Sequence, residues 1–263
     1  MSGPVGATPF APDSMCAERV IPSPNHGARR GGGPVDMLIL HYTGMPEAEA
    51  ARDWLCDPRS EVSAHYFVHE NGRTQQLVPE ERRAWHAGAG SWAGETDVNS
   101  RSIGIEIANP GPPGGAPDFP DAQIGAVIAL CRDILARSRI AAGRVLAHSD
   151  IAPARKCDPG EKFPWNRLHA AGIGHWVEPE PIDGGLVLME GDRGQPVEAL
   201  RAMLAHYGYG LDVSDRFDAE ATAVVTAFQR HFRPARVDGI ADRSTVTTLY
   251  RLSQARADLS VPT

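Results

Sequence analysis

The hydrophobic side chains of this chain form short clusters, and the spacing within each cluster predicts its secondary structure. Residues 36–42 are almost continuously apolar, which is typical of a buried central strand. Residues 101–107 alternate, with three isoleucines on one face of the predicted strand and Gly104 and Glu106 on the other. Residues 144–147 form a further short apolar run. These patterns predict a β-sheet with a buried centre.

The remaining clusters of the first half predict a hairpin and two helices. The Asn71-Gly72 pair is flanked by the segments 62–69 and 74–78, and such a pair between two segments is typical of a β-hairpin. Residues 124–135 place apolar side chains at the i, i+3, i+4 and i+7 spacing of an amphipathic helix, and the Ala-rich residues 47–56 predict another. Because strands and helices are interspersed, we predict an α/β fold with a mixed central sheet flanked by helices.

Changes in composition divide the chain into segments. Residues 1–34 are rich in Pro, Gly and Ala and predict an amino-terminal arm, either wrapped over the domain or loose. Residues 35–176 form the predicted α/β domain, and the Pro, Gly and acidic residues of 177–190 are typical of a linker. Three helical patterns in 191–255 predict a second, small three-helix domain. It contains no cluster of candidate catalytic side chains, which favours a binding or scaffolding role.

Composition narrows the classes of partner and compartment. The formal net charge is −7 and no basic stripe is present, which argues against a nucleic-acid partner. No run of 18 apolar residues exists, so no membrane span is expected. Residues 1–10 lack the pattern of a secretory signal. We therefore expect a cytoplasmic protein with reduced thiols, with the periplasm or cell envelope as the alternative. No oligomeric state is predicted.

Two histidines and an aspartate have the spacing expected of a catalytic metal site. His41 and His148 each follow a short apolar strand, and side chains at strand ends project into the crevice where α/β proteins bind ligands. Asp158 follows His148 by ten residues, in a loop that Pro153 and Pro159 stiffen and that could fold back. Three such ligands with a fourth position for water are typical of catalytic zinc. The spacing predicts one Zn²⁺ per chain.

Two further residues favour hydrolytic chemistry, although each has a simpler interpretation. Glu106 is a carboxylate in mid-strand, where burial is costly without a partner. It either faces solvent at a sheet edge or accepts the proton of a zinc-activated water. Lys156 precedes Asp158 by two residues and is either a solvated lysine or a cation that stabilises an oxyanion. Six other histidines have no supporting context and are expected to be surface or core residues: His26, His69, His169, His175, His206 and His231.

Five short motifs between residues 20 and 176 carry a resemblance to a known family. The motifs are Leu40-His41-Tyr42-Thr43, Val62-Ser63-Ala64-His65-Tyr66, Ala84-Trp85-His86-Ala87-Gly88, Ser102-Ile103-Gly104-Ile105-Glu106, and His148 to Pro153 continuing through Phe163-Pro164-Trp165. Together they resemble the zinc-dependent N-acetylmuramoyl-L-alanine amidases of the AmpD and AmiD type, whose fold is shared with peptidoglycan recognition proteins. The resemblance implies hydrolysis of the amide between N-acetylmuramic acid, or its 1,6-anhydro form, and L-alanine of the stem peptide. The implied partners are peptidoglycan or muropeptide fragments.

The resemblance assigns roles to individual residues. His41, His148 and Asp158 match the zinc ligands, Glu106 the acidic residue that helps to activate water, and Lys156 the transition-state lysine. Some proteins with this fold use Cys immediately before Pro-Gly. Here Asp158 precedes Pro159-Gly160, so Cys157 is not expected to bind metal. The chain departs from the pattern at Ala147 and Glu161, outside the proposed ligands. Positions near the substrate groove match Tyr42, Tyr66, Trp85, His86 and Asn99, with simple packing as the alternative for Tyr66 and Trp85.

The carboxy-terminal segment has its own resemblance. Residues 191–252 are similar to the three-helix peptidoglycan-binding domain, which implies anchoring to glycan-peptide and a raised local substrate concentration. The alternative is an inert helical appendage. For the whole chain, the competing functions are a catalytically silent peptidoglycan-binding protein and a zinc peptidase that cuts within the stem peptide. The presence of every expected ligand, the acid and the lysine argues against the silent protein.

Overall fold

The chain has an α/β architecture in the residues that the structure describes. The structure is a computed structural model that describes residues 9–185 and 187–257. In these ranges helices accompany a mixed β-sheet and further helices follow it, which confirms the predicted fold class. The strands are β1 (Arg19–Val20), β2 (His26–Ala28), β3 (Met37–Tyr42), β4 (Tyr66–Val68), β5 (Thr74–Gln76), β6 (Arg82–Ala84), β7 (Ser102–Ile107) and β8 (Val145–Ala147). The helices are α1 (Ala48–Leu55), α2 (Val98–Arg101), α3 (Asp121–Arg137), α4 (His148–Ile151), α5 (Trp165–Ala170), α6 (Gln195–Tyr207), α7 (Ala219–Phe232) and α8 (Arg243–Ala257), with short 3₁₀ turns at Pro58–Ser60, Pro112–Gly114 and Ala142–Arg144.

Strand pairing explains why β3 is an almost continuous apolar run. The larger sheet has the order β1-β5-β4-β7-β3-β8, and β7 pairs in parallel with both β3 and β4. The β4–β5 hairpin is antiparallel, so the sheet is mixed as predicted. A second, two-stranded sheet pairs β2 with β6. Strands at the centre of a partly parallel sheet are covered on both faces, which accounts for the continuous apolar run that forms β3.

The chain divides into two compact units by its internal contacts, Met1–Gly88 with Asn99–Ile140 and Ala89–Val98 with Ala141–Thr263. In the first unit, α3 presents a buried apolar face and packs against β4. Cys131 lies on that face and is buried. The domain boundaries that composition predicted stay predictions.

The Pro- and Gly-rich amino-terminal segment contributes two strands to the first unit. β1 pairs in parallel with β5, and β2 pairs with β6, although neither strand has a recognisable apolar pattern. The side-chain amide of Asn25 donates to the carbonyls of Asp57 and Val62 at 2.8 and 2.9 Å. Backbone pairing and buried polar contacts therefore hold residues 19–28 in the fold.

The second unit contains β8, the short helices α4 and α5, and the three carboxy-terminal helices. α6, α7 and α8 form at the three predicted helical patterns, and their apolar faces are buried. Arg201 of α6 is buried with its guanidinium 2.8 Å from Asp218 and 3.2 Å from Glu220, so the charge is paired at the start of α7. Among the helices of the described residues, none combines the length and the apolar character needed to cross a membrane.

Candidate active site

Strand register places the predicted acid beside one of the predicted metal ligands. His41 is the fifth residue of β3, and its partner on the neighbouring parallel strand β7 is Glu106. Paired residues on adjacent parallel strands point to the same face of a sheet, with their backbones about 4.8 Å apart. His41 is buried, whereas Glu106 is partly exposed. Glu106 therefore lies at the centre of the sheet, which excludes the edge position that the sequence had left open.

The other two predicted ligands lie in contact at the end of β8. His148 is the first residue of α4, directly after β8, and its Nδ1 lies 3.0 Å from Oδ2 of Asp158. The backbone N–H of Ser149 donates to the carbonyl of Asp158 at 3.0 Å. The loop between them folds back, as the Pro residues in its sequence indicated. Both side chains are buried.

The ligand atoms of His41, His148 and Asp158 all lie within 4.8 Å of one another. Two imidazoles and a carboxylate are a donor set that suits a catalytic zinc ion, and the enclosure of all three favours a bound cation over a solvated acid. Among the described residues this group does not include Cys157, and the expectation that Cys157 does not bind metal stays a prediction.

His86 and Asn99 were both predicted near the groove. In the structure His86 contacts His41, and Asn99 in turn holds His86. The Nδ1 of His86 lies 3.0 Å from Nε2 of His41, and the two rings meet edge to face. The side-chain oxygen of Asn99 accepts from the backbone N–H of His86 and of Ala87 at 3.0 and 2.9 Å. A Cβ at Gly104 would lie 2.5 Å from the His86 ring, so glycine on β7 makes room for that ring. These contacts hold the ring that orients His41.

The aromatic residues predicted near the groove differ in their exposure. Tyr66 is wholly buried and its hydroxyl donates to Glu80 at 2.6 Å, so the packing alternative describes it. Trp85 is half-buried, and its backbone N–H donates to the Ser63 hydroxyl. Tyr42 is half-buried at the end of β3. Substrate contact by Trp85 and Tyr42 stays a prediction.

Lys156 lies in the loop that leads to Asp158. It is half-buried, and its backbone N–H donates to the carbonyl of Ala152 at 3.0 Å. The backbone places it two residues before a candidate ligand, and its role toward substrate stays a prediction.

His65 is a second buried histidine near His86, and its ring is uncharged at neutral pH. The Nδ1 of His65 accepts from the backbone N–H of Gly104 at 3.0 Å, and its Nε2 lies 3.1 Å from the carbonyl of Arg82. Burial, and after it the nearby Arg29 guanidinium, lower the pKa of His65 to about 3. This ring therefore packs as an uncharged group beneath the site.

Sequence reasoning missed a buried polar group next to His148. Asp150 is wholly buried, and its carboxylate contacts His231 of α7 and Tyr209. His231 was expected to be a surface or core residue, and it is a buried core residue whose contact with Asp150 the sequence did not indicate. The signal that could have pointed to this group is Asp150 itself. A carboxylate that is buried in a helix of four residues needs hydrogen-bond donors from elsewhere in the chain.

Comparisons with known proteins bear on the family to which the chain belongs. A family profile described as N-acetylmuramoyl-L-alanine amidase matches residues 31–161, and one described as a peptidoglycan binding domain matches 193–249. The chain is 40% identical to N-acetylmuramoyl-L-alanine amidase AmiD of Escherichia coli over 80% of this chain and 79% of that protein. It is 32% identical to 1,6-anhydro-N-acetylmuramyl-L-alanine amidase AmpD of Enterobacter cloacae over 58% of this chain and 88% of that protein.

Solved structures give the same result. E. coli AmiD in complex with the substrate anhydro-N-acetylmuramic acid-L-Ala-D-gamma-Glu-L-Lys matches with a TM-score of 0.72 and 38% identity, over 87% of this chain and 92% of that chain. AmpDh3 of Pseudomonas aeruginosa matches with a TM-score of 0.71 and 32% identity, over 87% and 94%. Family profile, sequence identity and fold agree on a single assignment, and the chain belongs to the N-acetylmuramoyl-L-alanine amidase family.

Proposed function

We propose that this protein is a zinc-dependent amidase that hydrolyses the bond between N-acetylmuramic acid, including its 1,6-anhydro form, and L-alanine of the stem peptide. The observation that carries the proposal is the buried cluster of His41, His148 and Asp158, with Glu106 in register beside His41. The substrate named in the complex of E. coli AmiD, and the names of the AmpD relatives, support the same bond.

Different residues of the chain carry out the separate steps of amide hydrolysis. His41, His148 and Asp158 would hold one zinc ion. Bound zinc lowers the pKa of water to about 7 and polarises a carbonyl oxygen. Glu106 accepts the proton of the attacking water and returns a proton to the nitrogen of L-alanine as the amide bond breaks. Lys156 stabilises the negative charge that develops on the carbonyl oxygen.

Product analysis tests the proposed reaction. The zinc-loaded chain is incubated with a soluble anhydro-muropeptide, and mass spectrometry identifies the fragments. We expect anhydro-N-acetylmuramic acid and an intact stem peptide. A cut inside the peptide would support the peptidase alternative, and a zinc-bound chain that releases no product would support the silent binding protein.

Two variants assign the roles within the site. His41→Ala is expected to lose zinc and activity together, because it removes one of three ligands. Glu106→Gln is expected to keep its zinc and to lose about 10²- to 10⁴-fold in kcat, the usual contribution of a general base. Glu178→Gln, at an exposed position, is the matched control and should behave as wild type. Near-normal turnover by Glu106→Gln would contradict the assigned role.

For residues 191–255 we propose binding to peptidoglycan, with an inert appendage as the alternative. An apolar groove of about 310 Å³ lies between α6 and α8, and Met203 and Val246 contribute to its lining. Met203→Lys should reduce sedimentation of the chain with insoluble peptidoglycan while leaving cleavage of a small soluble muropeptide unchanged. Met189→Lys, at an exposed position outside the groove, is the control. Equal sedimentation of both variants and wild type would argue for the alternative.

The cytoplasmic location stays a prediction, which cell fractionation tests.

A further inference from the structure

The short helix that begins with His148 is held by residues of the carboxy-terminal helical region. Asp150, on α4, is wholly buried. Among the described residues its carboxylate accepts from the backbone N–H of Ala147 at 2.8 Å, from the Tyr209 hydroxyl at 2.7 Å, and from Nδ1 of His231 at 2.6 Å. Two of these three donors lie 59 and 81 residues further along the chain.

Both distant donors are built into a packed environment. Burial raises the pKa of Tyr209 well above its usual value, and the Asp150 carboxylate raises it further, so the hydroxyl keeps the proton that it donates. The His231 ring stacks on the Trp165 ring, with centroids 3.7 Å apart. α4 itself is only four residues long, and a helix of one turn has little stability of its own. Its position therefore depends on these contacts.

A shift of α4 would move both metal ligands of this region. His148 is the first residue of α4, and its Nδ1 contacts Asp158 at 3.0 Å. The backbone N–H of Ser149, also on α4, donates to the carbonyl of Asp158 at 3.0 Å. Partners that orient metal ligands usually change metal affinity or activity by about 10- to 100-fold when they are removed.

We propose that Tyr209 and His231 are positioning residues of the zinc centre, which they act on through Asp150. The carboxy-terminal region then has a second task besides substrate binding, because it supplies the donors that fix the helix on which His148 lies. The inference rests on the proposed zinc amidase function, but its effect is measured as metal affinity.

The experiment compares zinc dissociation constants of full-length variants by competition with a chromophoric chelator. Tyr209→Phe removes one hydroxyl without changing ring shape, and His231→Phe keeps a ring against Trp165 but removes the donor. Each is expected to weaken zinc binding about 10-fold or more. His231→Asn keeps a donor near the position of Nδ1 and should recover most of the affinity.

A matched control separates positioning from general damage. The Tyr207 hydroxyl bonds to His175 at 2.8 Å and not to Asp150, so Tyr207→Phe loses a comparable buried hydrogen bond. It should bind zinc as wild type does. Tyr209→Phe and His231→Phe proteins that bind zinc as tightly as Tyr207→Phe would overturn the proposal. A wild-type chain that binds zinc but cuts no muropeptide would refute the proposed function, and the affinity comparison would still decide this inference.

Discussion

The neutral state of His65 predicts a specific loss of stability in mild acid. The ring is wholly buried, and its pKa is lowered to about 3, first by burial and then by Arg29. In the unfolded chain a histidine has a pKa of about 6.5. Below pH 6.5 the unfolded state therefore binds a proton that the folded state does not bind. The contribution of His65 to stability is complete above pH 6.5 and is lost as the pH falls toward 3.

The size of the effect follows from the two pKa values. At pH 7.5 both states are almost uncharged at this ring, and the cost is below about 0.1 kcal/mol. A pH of 5.0 is about 1.5 units below the pKa of the unfolded state, and each unit is worth about 1.4 kcal/mol. The free energy of unfolding is therefore lower by about 2 kcal/mol at pH 5.0. Over the whole interval from 6.5 to 3 the loss is about 5 kcal/mol.

Urea unfolding at the two pH values measures this loss. In His65→Gln, the amide can replace both hydrogen bonds of the ring but does not titrate. The wild type should lose about 2 kcal/mol more than His65→Gln between pH 7.5 and 5.0. All other titratable groups are the same in the two proteins, so their contribution cancels in the difference. His169→Gln, at an exposed position, should lose as much as the wild type. Equal losses in the wild type and His65→Gln would refute the reasoning.

Three further predictions concern packing, capping and the metal. Gly104→Ala should weaken zinc binding and lower stability, because its Cβ would lie 2.5 Å from the His86 ring. The control Gly125→Ala lies on α3, where nothing is within 4 Å of the added Cβ, and it should stabilise the protein by up to about 1 kcal/mol. Zinc titration measures the metal affinity and thermal melts measure the stability of the two variants. Asp218 caps α7 by accepting from the Ala221 N–H at 2.9 Å, so Asp218→Ala should cost about 1 kcal/mol in urea unfolding, and an unchanged midpoint would contradict this. Chelation should abolish muropeptide cleavage and zinc should restore it, while activity that survives complete chelation would exclude the metal mechanism.

Sequence patterns predicted the candidate ligands because burial and strand ends can be read locally. His41 and His148 follow apolar runs, and that position alone indicates a crevice. The register that places Glu106 beside His41 could not be predicted, because the pattern of one strand does not say which strand will pair with it. The sequence therefore left Glu106 with two interpretations that only the topology separates.

Other features escaped prediction because their partners are distant or are backbone groups. β1 and β2 are held by strand pairing and by side chains such as Asn25, none of which produces an apolar period. The pair of Asp150 and His231 joins residues 81 positions apart. Neither residue is unusual in its own segment, and only the requirement that a buried carboxylate must find donors could have prompted a search.

Arg29 has a consequence for where this domain can be cut from a longer chain. Its guanidinium donates to the backbone carbonyls of Glu80, Asn99, Ser100 and Ser102 at 2.7 to 3.2 Å, and burial lowers its pKa to about 10. The match to the family profile starts at residue 31, two positions later. A gene fusion or truncation that used that start would leave these carbonyls without their donor and would lose β1 and β2. For protein engineering, the amidase module of this chain therefore has to begin upstream of its recognisable homology, at or before β1.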